Sequence, residues 1–285
     1  MSEQLVLGPL LSLENDNKYV VCFLSKTNQE YSVMFNDKIS KALKLGHLKS
    51  GYLYRAEYTI QKKKKEQKIE YHIANNEGLV KDSHDRDTWS FTVPSSKEKI
   101  NFVYESYEKL LNSEQLQREL DAPHDLLILN EFKLLDDDVY SKLNKIKDIT
   151  KRDLDNFFEK RYIEKLNNSN ISMILATIPN IIMKQDHTLL RNDFDDEINY
   201  FEDINTSCKK YFEIFQLRTI KNNTLLTKDR THYSFALKCG DHQILSIDDN
   251  SLKNQSEIIS DYLENRKEED KLFILCDKSN NIQSL

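Results

Sequence analysis

Glycine is scarce in this 285-residue chain, which contains five glycines, four prolines, four cysteines and one tryptophan. Loops that bind phosphate groups need glycine so that the backbone can approach the anion, and neither a GxGxxG nor a GxxxxGK pattern occurs. This absence argues against P-loop and dinucleotide-binding folds. The cysteines are far apart and form no CxxC pair, so we expect buried, reduced thiols; a zinc site or a disulfide framework is the alternative.

Long apolar runs are also absent, since none approaches the ~20 residues that a membrane-spanning helix requires. The first residues, MSEQLVLGPLLSLEND, contain neither a basic n-region nor a cleavable apolar segment, so we expect no signal peptide and a cytoplasmic location. The net charge of −6 is spread along the chain. The one basic block, Lys62 to Lys65, lies between two strand-like runs and is predicted to be a hairpin tip. No aromatic platform accompanies it, so we expect no nucleic-acid partner.

The first third of the chain has the pattern of an antiparallel β structure. Five short runs are rich in aromatic and β-branched residues, and several alternate with period two: YVVCFLS, YSVMF, LYRAEYTIQ, KIEYHIA and WSFTV. Turn-prone stretches separate them. We therefore predict a small N-terminal β-sandwich domain over residues 1–96.

Beyond Pro94 the pattern becomes that of a layered α/β domain, predicted for residues 97–285. Short apolar runs typical of strands covered on both faces are DLLILN, ISMILAT, NIIM, QILSID and KLFILC. Between them lie long amphipathic stretches, which predict helices: SYEKLLNSEQLQREL, VYSKLNKIKDITKRDLDNFFEKRYIEKL, FDDEINYFEDINTSCKKYFEIFQL and SEIISDYLENRKEED. The overall fold class is therefore α/β.

Polar side chains follow three of these predicted strands, where layered α/β sheets collect their ligands. DLLILN leads to Glu131, IIM leads to Asp186 and His187, and ILSID leads to Asp248 and Asp249. Carboxylates and an imidazole from separate strand ends can bind two metal ions ~3.5–4 Å apart and activate water for phosphoester hydrolysis. The alternative is that these residues are solvated loop acids and helix caps.

Several short strings, in order from about Gly8 to Cys276, resemble the PhoD-like alkaline phosphatase family of metallophosphatases. Its members combine a small N-terminal β-domain with a calcineurin-like α/β metal domain. The strings are GPLLSLENDNKYVVCFLS, WSFTVPSSKEKINFVYES, DLLILNEFKLLD, IPNIIMKQDHT, CKKYFEIFQL and ILSIDDNSLKN. DLLILNEFKLLD resembles the family's glycine-aspartate-glutamine turn, and IPNIIMKQDHT resembles its Trp-Asp-Asp-His-Asp segment.

The departures from the family's motifs bear on function. Where the family has a cysteine before its metal site, this chain has Glu105 and Ser106. The glycine, aspartate and glutamine of the turn are replaced by Asn130, Glu131 and Phe132. In the second segment only Asp186 and His187 match, since lysine, glutamine and threonine replace the other three residues.

The resemblance implies Glu131, Asp186 and Glu105 as metal ligands, and Asp186 and His187 as catalytic residues or the vestiges of them. Two divalent cations bring about four positive charges and need several anionic ligands, more than these matched residues supply. We therefore expect no cofactor, or a single weakly bound divalent metal. His187 could still serve as a general acid, but without an activated water it cannot complete hydrolysis.

Three interpretations follow. The first is a degenerate metallophosphatase fold, a pseudoenzyme that binds or regulates a protein partner whose identity the sequence does not give. The second is a divergent metal-dependent phosphoesterase with a rebuilt site using Glu131, Asp186 and His187. The third is a secreted bacterial effector that acts through host protein contacts, since Glu264, Glu268 and Glu269 near the C-terminus are similar to some type IV secretion signals. Acids on a helix surface are the commoner explanation of such a cluster.

Overall fold

We describe the protein from a computed structural model. The residues that it describes are 4–36, 38–95, 100–130, 132, 134, 149–183, 201–215, 234–239, 242–247, 252–265, 271–276 and 283–284. Among them, no helix is both long and apolar enough to cross a membrane.

The N-terminal third forms the predicted β-sandwich. One sheet has the strand order β1-β2-β6-β5, and the other has β4-β3-β7-β8, with β9 also paired to β7. The strands are β1 (Leu5–Asn15), β2 (Lys18–Ser25), β3 (Tyr31–Phe35), β4 (Lys38–Lys41), β5 (Leu43–Leu48), β6 (Gly51–Thr59), β7 (Gln67–Asn75), β8 (Gly78–Leu79) and β9 (Trp89–Val93). Alternate residues of β3, β7 and β9 are buried, as period-two patterning requires.

The basic block is not the tip of a hairpin, so this prediction is wrong. Residues 62–65 connect β6 with β7, and these two strands belong to different sheets. The block therefore crosses between the layers of the sandwich. Lys62 contacts Asp16 at 3.4 Å, which ties one end of the crossing to the β1–β2 turn.

The rest of the chain forms α/β layers, which confirms the predicted fold class. A parallel sheet has the order β10-β11-β12, and a mixed sheet has the order β13-β14-β15-β16. The strands are β10 (Phe102–Ser106), β11 (Leu126–Asn130), β12 (Asn180–Ile182), β13 (Phe235–Cys239), β14 (His242–Ile247), β15 (Lys271–Cys276) and β16 (Gln283–Ser284). The helices are α1 (Tyr107–Leu110), α2 (Ser113–Asp121), α3 (Lys151–Leu166), α4 (Ser169–Thr177), α5 (Phe201–Phe215) and α6 (Leu252–Asn265).

The run ISMILAT is helical, although its continuous apolar character predicted a strand. Asn168 caps α4, and its side chain accepts hydrogen bonds from the backbone of Asn170 and Ile171 at 3.0 and 3.4 Å. A short helix that is buried on most of its surface has no polar face, so its sequence does not differ from that of a buried strand. Burial on most sides therefore gives α4 the sequence pattern of a strand, and the strand predicted here is wrong.

Strand β1 connects the sandwich with the α/β layers. It packs against α4 and β12, and the Ser12 hydroxyl donates to the Asn180 carbonyl at 2.8 Å. A single hydrophobic cluster contains residues from both parts, including Val21, Tyr71 and Ile128. The domain boundary predicted at residues 96–97 lies outside the described residues and stays a prediction.

Candidate functional site

The carboxyl ends of β10, β11 and β12 meet at one edge of the parallel sheet. Two of them, β11 and β12, lead to predicted site residues, whereas β14, the third predicted strand end, lies in the other sheet. Ser106 at the end of β10 is the register partner of Asn130 at the end of β11, and Leu129 is the partner of Ile182 in β12. The segments that follow these strands therefore start side by side. This is the arrangement in which layered α/β proteins bind ligands.

Of the predicted site residues, only Glu105 lies within the described part of the chain. Glu131, Asp186 and His187 lie outside it, as do Asp248 and Asp249. Their assignment as metal ligands and catalytic residues stays a prediction.

Glu105 is a nearly buried carboxylate with three hydrogen-bond donors around it. Its Oε1 atom accepts from the backbone N–H of Ser106 at 3.0 Å and lies 3.0 Å from the Lys109 ammonium. Its Oε2 atom accepts from the Gln115 side chain at 3.2 Å. A buried carboxylate is stable only when its charge is compensated in this way.

Gln115 connects Glu105 to further polar groups that the sequence did not predict. Gln115 Nε2 also donates to Glu119 at 2.6 Å, and Glu119 lies 2.7 Å from Nε2 of His124. Glu119 is also buried, so Gln115 bridges two buried carboxylates. The spacing of four residues between Gln115 and Glu119 on one helix face is the signal that could have predicted this contact.

The surroundings of Glu105 do not fit a metal ligand. A divalent cation bound to its carboxylate would lie close to the Lys109 ammonium, and the like charges would repel each other. Within the described ranges, no group of three or more His, Cys, Asp or Glu side chains is arranged to hold a metal ion.

An aromatic residue fills the position just beyond β11. Phe132 is 1% exposed, and its ring meets Tyr107 edge-on at 5.2 Å and stacks on Tyr162 at 5.7 Å. Burial raises the pKa of Tyr107 to about 12, and its hydroxyl donates to the Lys165 carbonyl at 3.0 Å. Phe132 is therefore anchored in the core that the helices form.

Asn130, the last residue of β11, has a buried side-chain oxygen. No described residue donates a hydrogen bond to its Oδ1 atom. Buried polar oxygens are satisfied in most proteins, so this unsatisfied atom sets Asn130 apart from most buried polar groups.

Helices α3 and α5 pack beside this edge through polar contacts of their own. Glu159 in α3 is 2% exposed, and it accepts from the backbone N–H groups of Lys49 and Ser50 at 3.2 and 2.6 Å. It also accepts from the Tyr211 hydroxyl of α5 at 3.2 Å, and burial with this neighbouring carboxylate raises the pKa of Tyr211. Glu159 thus joins the β5–β6 turn to both helices and has a structural role.

Two cysteines have side chains within the described residues, and both are free thiols. Cys22 and Cys208 are both buried and form no disulfide, which confirms the prediction for these two residues. Burial raises the pKa of the Cys208 thiol far above its usual range. The side chains of Cys239 and Cys276 lie outside the described residues.

Comparison with known proteins finds similarity in structure but not in sequence. No protein-family model and no curated protein matches the chain. A purple acid phosphatase, PPD1, from yellow lupin (Lupinus luteus) seeds is similar with a TM-score of 0.57 and 11% identity, over 94% of this chain and 50% of that one. A type III pullulan hydrolase from Thermococcus kodakarensis is aligned with a TM-score of 0.23 and 10% identity, over 62% of this chain and 40% of that one, too low a score to indicate a shared fold.

The similarity to the plant enzyme indicates the fold of this chain but not its activity. The chain spans about half of its length, and 11% identity carries no information on substrate or mechanism. The finer resemblance to PhoD-like proteins stays a prediction. The protein has a mixed α/β, metallophosphatase-like fold.

Proposed function

We propose that the protein is a degenerate, PhoD-like metallophosphatase that no longer catalyses hydrolysis and acts by binding or regulating a protein partner. The metallophosphatase-like fold supports the first part of this proposal. The chemistry of the strand ends supports the loss of catalysis.

Phe132 is the observation that carries the proposal. The resembling family has a polar glutamine in this position of its turn, where this chain has a fully buried phenylalanine between Tyr107 and Tyr162. A side chain that packs in an apolar core cannot contact a substrate or a metal ion. The turn thus contributes to stability at a place where the family's motif contributes polar chemistry.

Charge supports the same conclusion. A binuclear centre needs several anionic ligands to compensate about four positive charges in a partly desolvated cleft. Glu105 is compensated by Lys109 and Gln115, which leaves Glu131, Asp186 and His187 as the residues matched to the family's motifs. Two carboxylates and one imidazole are too few for two metal ions.

Catalysis is tested directly with the purified, full-length protein. The protein is treated with a chelator, loaded with Mn²⁺, Fe²⁺ or Zn²⁺, and incubated with p-nitrophenyl phosphate and bis-p-nitrophenyl phosphate. We expect no turnover above the buffer rate and less than one bound metal per chain by elemental analysis.

His187→Ala is the matched control for this assay. Turnover that depends on metal and disappears in His187→Ala would refute the proposal and would support the rebuilt-site phosphoesterase. Turnover that persists in His187→Ala marks a contaminating phosphatase, and purification to constant specific activity then decides the result.

A further inference from the structure

The edge of the sandwich that β4 forms is exposed and carries both apolar and positively charged side chains. We propose that this edge binds an extended segment of a protein partner, which adds to the sheet as a further strand and has an apolar residue flanked by acidic ones. The inference rests on the proposed function, because it names the surface that binds the partner and the chemistry of that partner.

The backbone of β4 has an open side. This strand is the last of its sheet in that direction and pairs only with β3 among the strands that the structure describes. The N–H of Ala42, the residue after β4, donates to the Tyr31 carbonyl at 2.8 Å. Hydrogen-bonded pairs alternate along antiparallel strands, so Ser40 also bonds to β3, whereas the N–H and C=O groups of Ile39 and Lys41 point away from it. These groups are directed at the place where a further strand can bond to them.

Ile39 provides an apolar contact at this edge. Its register partner is Met34, and its side chain lies on the outer face of the sheet, because the next residue, Ser40, donates inwards to the Glu57 carbonyl of β6 at 2.8 Å. Ile39 is 72% exposed, more than any other large hydrophobic residue that the structure describes. An exposed apolar side chain alone needs no explanation, but beside an open strand edge it matches the way in which sheets bind extended peptides.

Two lysines define the charge that the partner must carry. Lys38 and Lys41 lie on either side of the exposed Ile39, and the strand itself contains no acidic residue. The Lys38 ammonium lies 5.5 Å from the centre of the Tyr58 ring. Lys41 pairs with Glu30, but both side chains are largely exposed, so this ion pair contributes little and can be exchanged for another. The edge therefore favours acidic side chains on the strand that joins it.

The same lysines disfavour a second copy of this chain as the occupant. Antiparallel pairing of β4 with itself would place Lys38 of each copy opposite Lys41 of the other, and like charges directly opposite destabilise paired strands. Edge lysines commonly prevent such self-association. In an antiparallel partner strand, acidic residues opposite Lys41 and Lys38 replace this repulsion with attraction, and an apolar residue opposite Ile39 covers it. From N to C terminus, the partner segment reads acidic, any residue, apolar, acidic.

The experiment selects partners without assuming their identity. A random peptide library displayed on phage is first depleted on the charge-reversed variant Lys38→Glu/Lys41→Glu and then selected on the purified, full-length wild-type protein. We expect the enriched peptides to share the acidic, any, apolar, acidic pattern. Enriched peptides are synthesised with a fluorescent label, and their affinities are measured by fluorescence anisotropy.

Three variants locate the binding surface. Ile39→Pro removes an N–H from the open edge, a position where proline is compatible with a strand. Lys160→Glu reverses a lysine of α3 that is 79% exposed and is the matched control. We expect Ile39→Pro and Lys38→Glu/Lys41→Glu to weaken binding by about tenfold or more and the control by less than about twofold. Peptides with lysine in place of the acids should bind Lys38→Glu/Lys41→Glu instead, and circular dichroism checks that each variant keeps the fold.

Several results would overturn the inference. These are a selection that enriches no acidic peptides, peptide binding that is unchanged in Ile39→Pro, and vesicles containing phosphatidylserine that bind at this edge when peptides do not. A dimer seen by light scattering in the wild type and lost in Ile39→Pro would identify a second copy as the occupant and overturn it too. Metal-dependent turnover with peptide binding intact would refute the proposed loss of catalysis alone, so the two failures are distinguishable.

Discussion

Asn180 is expected to be the most sensitive polar residue at the junction between the sandwich and the parallel sheet. Its Nδ2 atom donates to the carbonyls of Leu11, Leu175 and Ile178 at 2.6, 2.9 and 3.0 Å, and the residue is 5% exposed. Leu175 lies in the last turn of α4, where its carbonyl would accept from the N–H of residue 179. That residue is Pro179, which has no N–H, so Asn180 supplies the missing donor.

Asn180→Ala removes both N–H donors and leaves the three carbonyls without them. A buried group that loses its partner costs about 1–3 kcal/mol, so two lost donors should lower the free energy of unfolding by about 2–6 kcal/mol. A domain of ordinary stability has about 5–15 kcal/mol in total, so this loss is easily measured. Asn180→Asp keeps the shape but places a carboxylate oxygen where the Nδ2 donor was, facing the three carbonyls, so we expect it to lose at least as much.

Urea denaturation provides the assay. Trp89 is the single tryptophan and is 4% exposed in the sandwich core, so its fluorescence reports unfolding there, while far-UV circular dichroism reports the helices. Asn76→Ala, at an exposed turn position, is the control and should change stability by less than about 0.5 kcal/mol. A loss of less than about 1 kcal/mol in Asn180→Ala, or wild-type stability in Asn180→Asp, would refute the reasoning.

Three further predictions concern helices α3 and α5 and the thiols. Glu159→Leu should lower the free energy of unfolding by about 2–4 kcal/mol, measured by urea denaturation, because it leaves two backbone N–H groups and the Tyr211 hydroxyl without their acceptor. Burial raises the pKa of Asp155, but hydrogen bonds from Lys210 and the Ser207 hydroxyl outweigh burial and bring the pKa below its usual value. The stability that this carboxylate contributes is present above its unfolded pKa and is lost as the pH falls below about 4. Asp155→Asn should therefore lower the urea midpoint more at pH 7 than at pH 3. An equal effect at both pH values would contradict this account. Cys208 should resist iodoacetamide in the native protein and react once the protein is unfolded, because burial and a raised thiol pKa both suppress the reactive thiolate. Peptide mass spectrometry measures the alkylation. Rapid alkylation of the folded protein would show that the thiol is not packed as described.

The sequence predicted strands of two patterns, which are alternating runs in the sandwich and continuous apolar runs in the α/β layers. Strands β3, β7 and β9 alternate and were found from that alternation. Strand β1 was not predicted from its pattern, because LVLGPLLSLEN does not alternate and contains Gly8 and Pro9, which are uncommon inside strands. Strands β4 and β5 are largely exposed and carry lysines, so their strand structure comes from pairing with β3 and β6 and not from their own composition.

The location of the candidate site stays a prediction, and most of the contacts described there were not predicted. The buried apolar runs predicted β11 and β12, which end side by side, whereas β10, whose Ser106 is the register partner of Asn130, was not among those runs. The role of Lys109 was not predicted, although SYEKLLNSEQLQREL was predicted to be helical from Ser106 onwards. Its partner Glu105 lies one residue before that stretch, and the pair was not identified. The burial of Phe132 depends on Tyr162, a contact between residues 30 positions apart that no local pattern contains.

The position of β1 between two layers has a consequence for synthesis in the cell. Leu11 and the side chain that holds it, Asn180, are 169 residues apart in the chain. At ~5–20 residues per second, a ribosome needs roughly 8–34 s to make the intervening segment. During that interval a nearly continuous apolar strand has left the exit tunnel without the surface that will cover it, which makes this nascent chain a natural client for chaperones that shield hydrophobic segments.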